Sequence, residues 1–165
     1  MLDGMLILFL FFLFLIGLSL YHFIEQFKLN KRLSRAGIEE IDLMKGAEFE
    51  QYLRVLFDKL GFLVRVTKTS NDFGADLILE GDVKVVIQAK RYKKKVGIRA
   101  VQEINSARNY YSAQEAWVIT NNFFTTPAIK LAQSSNVKLI DRHLLVELII
   151  DSKSSSAGKK YFWSS

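Results

Sequence analysis

The sequence predicts an α/β domain with a central mixed β-sheet flanked by helices, preceded by one transmembrane helix. Three observations lead there. An uncharged apolar run fills most of the first two dozen positions, and helical and strand-type hydrophobic periods alternate between residues 46 and 150. Two β-rich runs also meet around Gly81 and Asp82 with no room for a crossover helix, which makes part of the sheet antiparallel.

From Met5 to Ile24 the chain reads MLILFLFFLFLIGLSLYHFI, without a formal charge. At about 1.5 Å of rise per residue, such a helix of about 20 residues matches a hydrocarbon core of about 30 Å. Asp3 precedes the run, and Lys28, Lys31, Arg32 and Arg35 follow it. A cleaved signal would show basic residues before the run and small residues after it, so the reading is an uncleaved anchor. The positive charge on its C-terminal side places the rest of the chain in the cytoplasm, as a single-pass protein of the inner (cytoplasmic) membrane. Tyr21 stands where an interfacial aromatic belongs, and His22 falls at headgroup level with no specific task. Residues 1–27 are read as the anchor. Residues 28–45, charged and interrupted at Gly37, are read as a juxtamembrane linker or helix.

The domain is expected over residues 46–150. Phe49, Tyr52, Leu53, Leu56, Phe57 and Leu60 recur at helical spacing until Gly61 ends the pattern. FLVRV (Phe62–Val66) alternates like a half-buried strand, and TKTSNDFG follows as a polar turn. Asp76–Glu80 and Val83–Lys90 form the hairpin. Beyond a basic loop, Val101, Ile104 and Ala107 mark a helix over 98–111, and AWVIT (Ala116–Thr120) is a short buried strand. TTPAIKLAQSS begins with Thr at the N-cap and Pro127 in the first turn, VKLI (Val137–Ile140) is another strand, and DRHLLVELII closes with a helix. The Ser-, Gly- and Lys-rich segment 151–165 has a composition that favours disorder.

Charge narrows the class of partner. The 165 residues carry a net charge of +6, and every Lys and Arg lies at or after Lys28, so the part beyond the apolar run is basic and favours nucleic acid or an anionic lipid surface. The chain has no cysteine, and its two histidines, His22 and His143, are far apart, which excludes disulfides and a zinc cluster. Any metal must be held by oxygen. Nothing in the sequence calls for a small-molecule cofactor.

Glu50 on a helix, Asp76 at a strand start, and Gln88, Ala89 and Lys90 at the end of the next strand form the informative constellation. Alternation puts Gln88 and Lys90 on one side and Ala89 on the other. Asp76 joins them only if the hairpin has an odd loop or a bulge, because a two-residue loop would set it opposite Ile87. In the odd register a carboxylate, an amide oxygen and an ammonium share a small area, as phosphodiester hydrolysis requires. Asp76, the Gln88 side-chain oxygen, the Ala89 carbonyl and Glu50 offer the hard oxygens that Mg2+ prefers. Lys90 then serves to orient water or stabilise the transition state.

The stretch GAEFEQYLRVLFDKLGFLVRVTKTSNDFGADLILEGDVKVVIQAKRY, continuing through VGIRAVQEINSA and AWVITNNFFTTPAIKLA to VKLIDRHLL, resembles the Mrr-type restriction endonuclease catalytic domain over roughly Gly46 to Ile149. That family belongs to the PD-(D/E)XK nucleases, in the branch with QXK. The resemblance implies a restriction-endonuclease-like core, Mg2+ as cofactor, Asp76 and Gln88 at the metal, Lys90 as catalytic lysine and Glu50, within the FE pair, as the helix-borne acid. By helical geometry alone, Glu48 and Glu50 are equal candidates. Relatives with a DNA-recognition domain carry it where this chain has an apolar run.

The reading is therefore a magnesium-dependent DNA endonuclease acting in defence against foreign or modified DNA. Arg91, Lys93, Lys94, Lys95, Arg99 and Gln102 are the candidates for gripping the DNA backbone without reading sequence. Double-strand cleavage is compatible with a homodimer. Two further readings stay open: a structure-selective, junction-type nuclease, and a membrane-tethered DNA-binding or assembly module without catalysis. The DFG at Asp72 to Gly74 lacks the other kinase motifs and is read as a turn, Glu103 as a surface residue, and His143 as a surface or core-edge residue.

Overall fold

The computed structural model describes residues 2–67 and 74–153. The chain divides into two compact units, Met1–Arg35 and Ala36–Ser165. The first is a single helix, α1 (Leu2–Leu33), whose apolar side chains are exposed from Met5 to Phe27. By length and composition it can cross a membrane.

The second unit begins before the expected boundary. Helix α2 (Ile38–Leu43) has Ile41 fully buried, and Met44 just beyond it is also buried. This segment is the helix that was one of the two expectations for it, but it contributes to the core where a juxtamembrane position outside the core was expected. The charge of Glu39, Glu40 and Asp42 suggested a solvated stretch, but Ile41 and the C-cap residue Met44 are both buried.

The remaining elements are α3 (Gly46–Lys59), β1 (Leu63–Val66), β2 (Leu77–Glu80), β3 (Val85–Lys90), α4 (Ile98–Tyr110), β4 (Glu115–Thr120), α5 (Thr126–Ser135), β5 (Val137–Ile140) and α6 (Arg142–Lys153). Gly61 takes φ +85° after α3, where a left-handed residue ends the helix. Thr125 caps α5 by accepting the Ala128 N–H at 3.3 Å, with Pro127 in the first turn. Helix α6 runs to Lys153, so the segment expected to be disordered begins with helix. The rest of that segment, and most of the turn containing DFG, lie outside the described residues.

The five strands lie in the order β1-β2-β3-β4-β5, antiparallel from β1 to β3 and parallel from β3 to β5. This is the mixed sheet expected. Ile78, Val86, Ala116 and Val118 pack with Val101, Ile104 and Ala107 of α4 and Ala128 and Ala132 of α5 in one apolar cluster. The alternate residues turn to the other face, where Phe57 of α3 meets Trp117 at 6.1 Å between ring centroids. Helices thus cover both faces, which allows β3 and β4 to be continuous apolar runs.

The β2–β3 register decides where the candidate residues meet. Leu77 stands opposite Ile87, Ile78 opposite Val86 and Leu79 opposite Val85. Continuing that register sets Glu80 level with Lys84 and leaves Gly81, Asp82 and Val83 as an odd connection, while Asp76 hydrogen-bonds to Ile87 and Ala89, on either side of Gln88.

Candidate active site

Asp76 is fixed from both sides. Its N–H donates to the Ile87 carbonyl at 2.8 Å, and its Oδ2 accepts the Ala89 N–H at 2.7 Å, so it brackets Gln88. Thr67 holds the same segment by donating its N–H to the Asp76 carbonyl at 3.0 Å. A short carboxylate–amide bond of this kind is charge-assisted and stronger than a neutral one.

Gln88 is 3% exposed, among the few buried polar residues. Its Nε2 donates to Glu103 Oε2 at 2.9 Å, while its Oε1 is buried and finds no hydrogen-bond partner among the described residues. Lys90, two positions along the same strand, places its Nζ 3.4 Å from the same Glu103 oxygen. Beyond it the chain is tied to the end of β4: Thr120 Oγ1 donates to the Lys90 carbonyl at 2.6 Å and Asn121 Oδ1 accepts the Tyr92 N–H at 2.9 Å.

Glu103 joins these residues, although the sequence suggested a surface position for it. Helix α4 buries Ala100, Val101, Ile104 and Ala107, and Glu103 lies beside that face. Gln102 is exposed, so α4 turns the acid and not the amide toward Gln88 and Lys90. Burial alone would raise the Glu103 carboxyl, but hydrogen bonds from Arg99 and Gln88 and the charge of Lys90 outweigh it and hold the group below its ordinary value. The only sequence signal for this residue was its place at the edge of the apolar face of α4, which does not set it apart from an ordinary surface acid.

The other candidates lie on α3, on α4 and on the loop after β3. Glu50 is half-buried in α3, which packs against β1 and β3. Arg99 is exposed and binds Glu103 Oε1 through Nε at 2.8 Å. Arg91 is half-buried and directs Nη1 to the Asp42 carbonyl at 3.5 Å, at the limit of a hydrogen bond. Lys93, Lys94 and Lys95 are exposed on the following loop. A cleft of about 360 Å³ lined by Lys90, Tyr92, Gly97, Arg99 and Glu103 adjoins the cluster. A larger hollow, about 570 Å³, lies at the β1–β2 end around Phe62, Leu63 and Glu80, and contains none of the candidates.

A hard divalent cation fits the chemistry of these donors. A buried amide oxygen with no donor among the described residues, on the strand next to a carboxylate held by a backbone N–H, is what such an ion would satisfy. Among the described residues no three His, Cys, Asp or Glu side chains gather to hold a metal ion, and the oxygens offered here include amide and carbonyl groups.

A five-stranded mixed sheet with helices on both faces defines a restriction-endonuclease-like fold, and the residues above lie at the adjoining ends of β2 and β3. Residues 41–149 match the family model Mrr_cat, described as "Restriction endonuclease", and the chain belongs to that family. The fold is similar to a protein of unknown function, AF1548, at TM-score 0.54 and 18% identity, covering 63% of this chain and 64% of that one. It is likewise similar to the DNA modification-dependent restriction endonuclease AspBHI, at TM-score 0.57 and 18% identity, covering 79% of this chain but only 37% of that one. The chain thus spans less than two thirds of the length of either. No curated protein matches it.

Proposed function

We propose that the second unit hydrolyses DNA phosphodiester bonds with Mg2+, in restriction of foreign or modified DNA, while α1 holds it at the inner face of the cytoplasmic membrane. Residues 1–27 act as the anchor in this reading, and the nuclease extends to about residue 150. The observation that carries it is Gln88 Oε1, a buried acceptor with no donor among the described residues, in a chain that belongs to a restriction endonuclease family.

Asp76, Gln88, the Ala89 carbonyl and Glu50 are the residues that would hold the ion. Bound there, Mg2+ supplies an acidified water and neutralises charge on the phosphate. The chain does the remaining work. Asp76 is held by the Ala89 N–H, which lessens the reorganisation its carboxylate needs when it binds the ion. The ammonium of Lys90, held by Glu103 Oε2, orients the attacking water and opposes the charge growing on the scissile phosphate. Cleavage leaves 5′-phosphate and 3′-hydroxyl ends. Lys93, Lys94 and Lys95, with Arg91, Arg99 and Gln102, steady the DNA backbone, a role that carries no base recognition.

The test is incubation of the detergent-solubilised full chain with supercoiled plasmid, methylated and unmethylated, with and without Mg2+, beside Asp76→Ala and Lys90→Ala. The expected result is Mg2+-dependent nicking or linearisation reduced at least about 100-fold in both variants. Plasmid binding with no cleavage above the variants would instead favour a membrane-tethered DNA-binding module.

A further inference from the structure

We propose that Glu103 is the positioning residue of this site, holding the Gln88 amide in the one orientation that leaves its oxygen to a cation; this rests on reading Asp76, Gln88 and Lys90 as a metal-dependent nuclease site.

A glutamine amide has a donor side and an acceptor side of nearly equal shape, and only the acceptor side can hold a cation. At 3% exposure Gln88 has little access to water to settle the choice. Glu103 settles it, because a carboxylate accepts only: Nε2 must face Oε2, at 2.9 Å, and Oε1 is left on the other side. The same Oε2 lies 3.4 Å from Lys90 Nζ, so one oxygen sets both the amide and the ammonium. Its fellow oxygen is held by Arg99 Nε at 2.8 Å.

The backbone of Glu103 is fixed as well. Gly74, two residues before Asp76, comes so close to α4 that a Cβ on it would stand 2.8 Å from Glu103 Cβ and 3.2 Å from its carbonyl carbon. The segment entering Asp76 and the helix carrying Glu103 are therefore packed backbone to backbone. Partners of this kind typically change metal affinity by about 10- to 100-fold when removed.

Mn2+ is the probe, its affinity for the full chain in detergent read from the electron paramagnetic resonance signal of the free ion. Four variants are compared with wild type: Asp76→Ala, Glu103→Ala, Gln88→Glu, and the last two together. Glu103→Ala is expected to weaken Mn2+ binding at least about tenfold. In the Gln88→Glu background the same change should leave affinity unaltered or tighten it, since a carboxylate presents oxygen on either side and loses a repulsive neighbour. Equal weakening in both backgrounds, which a misfolded Glu103→Ala protein would also give, marks Glu103 as merely structural and overturns the proposal. Asp76-dependent binding that ignores Glu103→Ala overturns the proposal alone. Binding indifferent to Asp76→Ala, or no binding by wild type, removes the nuclease-site reading and the proposal with it.

Discussion

Gly74 takes φ +91° and leaves no room for a side chain against Glu103. A left-handed backbone costs an L-residue about 1–2 kcal/mol, and forcing a methyl into packed structure about 1–3 kcal/mol more. Gly74→Ala is therefore expected to destabilise the second unit by at least about 2 kcal/mol in urea denaturation of the full chain. Gly81→Ala is the control: the nearest atom to its added methyl is the Val83 carbonyl oxygen at 3.9 Å, and a change within about 0.5 kcal/mol is expected. An equal loss at the two positions would remove the argument from close approach. The candidate residues were legible at this scale in unequal degree. Asp76, Gln88 and Lys90 could be chosen because strand alternation and residue chemistry point the same way. Glu103 could not, because its role depends on where α4 lands on the sheet, and its i−4 partner Arg99 makes it look like half of an ordinary surface pair. The helix-borne acid stays unresolved by periodicity because Glu48 and Glu50 are both half-buried, two apart in the first turns of α3.

Elements in the second unit are joined by a polar network centred on α2. Asp42 Oδ1 accepts from Asn121 Nδ2 at 2.8 Å and from Arg142 Nη1 at 2.8 Å, and Arg142 Nη1 also reaches the Asn121 carbonyl at 2.9 Å. One carboxylate thus links α2, the end of β4 and the start of α6. The Arg142 hydrogen bond, with smaller help from Asn121, outweighs burial and holds the Asp42 carboxyl below its ordinary value of 3.8. The folded-state pKa is depressed, so the contribution is complete above 3.8 and is lost as pH falls through the lower folded value. Asp42 is partly exposed, which limits the effect to about 1 kcal/mol. Asp42→Asn should be less stable than wild type by about that amount at ~pH 6, and the gap should close below the ordinary carboxylate value. A gap that does not change with pH would mean that the network acts through shape and not charge. This link was not legible in sequence, since the residues it joins lie up to 100 positions apart and no local pattern pairs them. The strands and helices themselves were, because their apolar periods are strong; even the odd β2–β3 connection followed from asking which register lets Asp76 meet Gln88.

Across the whole chain the apolar and basic residues are segregated, with no charge from Met5 to Ile24 and all 23 Lys and Arg residues after that run. Helix α1 exposes Leu, Phe and Ile over nearly its whole surface, where a helix on the outside of a globular domain would show one polar face. Such a surface is costly in water, at about 25 cal/mol per Å² of apolar area, and costs nothing in hydrocarbon. The basic residues that follow favour retention on the cytoplasmic side. The fold class was legible at this scale because alternating periods report layers. The anchor was legible only as a physical capacity, since length and hydropathy say that α1 can span and not that it does. The full chain should stay in the membrane fraction through carbonate washing, and a reporter fused after Lys153 should be inaccessible from outside the cell. Leu13→Lys with Leu15→Lys places two charges near the centre of the run, at about 2.5–3.5 kcal/mol each on insertion scales, and should shift the chain to the soluble or aggregated fraction. Wild-type chain released by carbonate, or a reporter exposed outside the cell, would detach the nuclease reading from the membrane. The second unit would then have to meet its DNA either free of the bilayer or on its far side, and restriction at the inner face would no longer describe it.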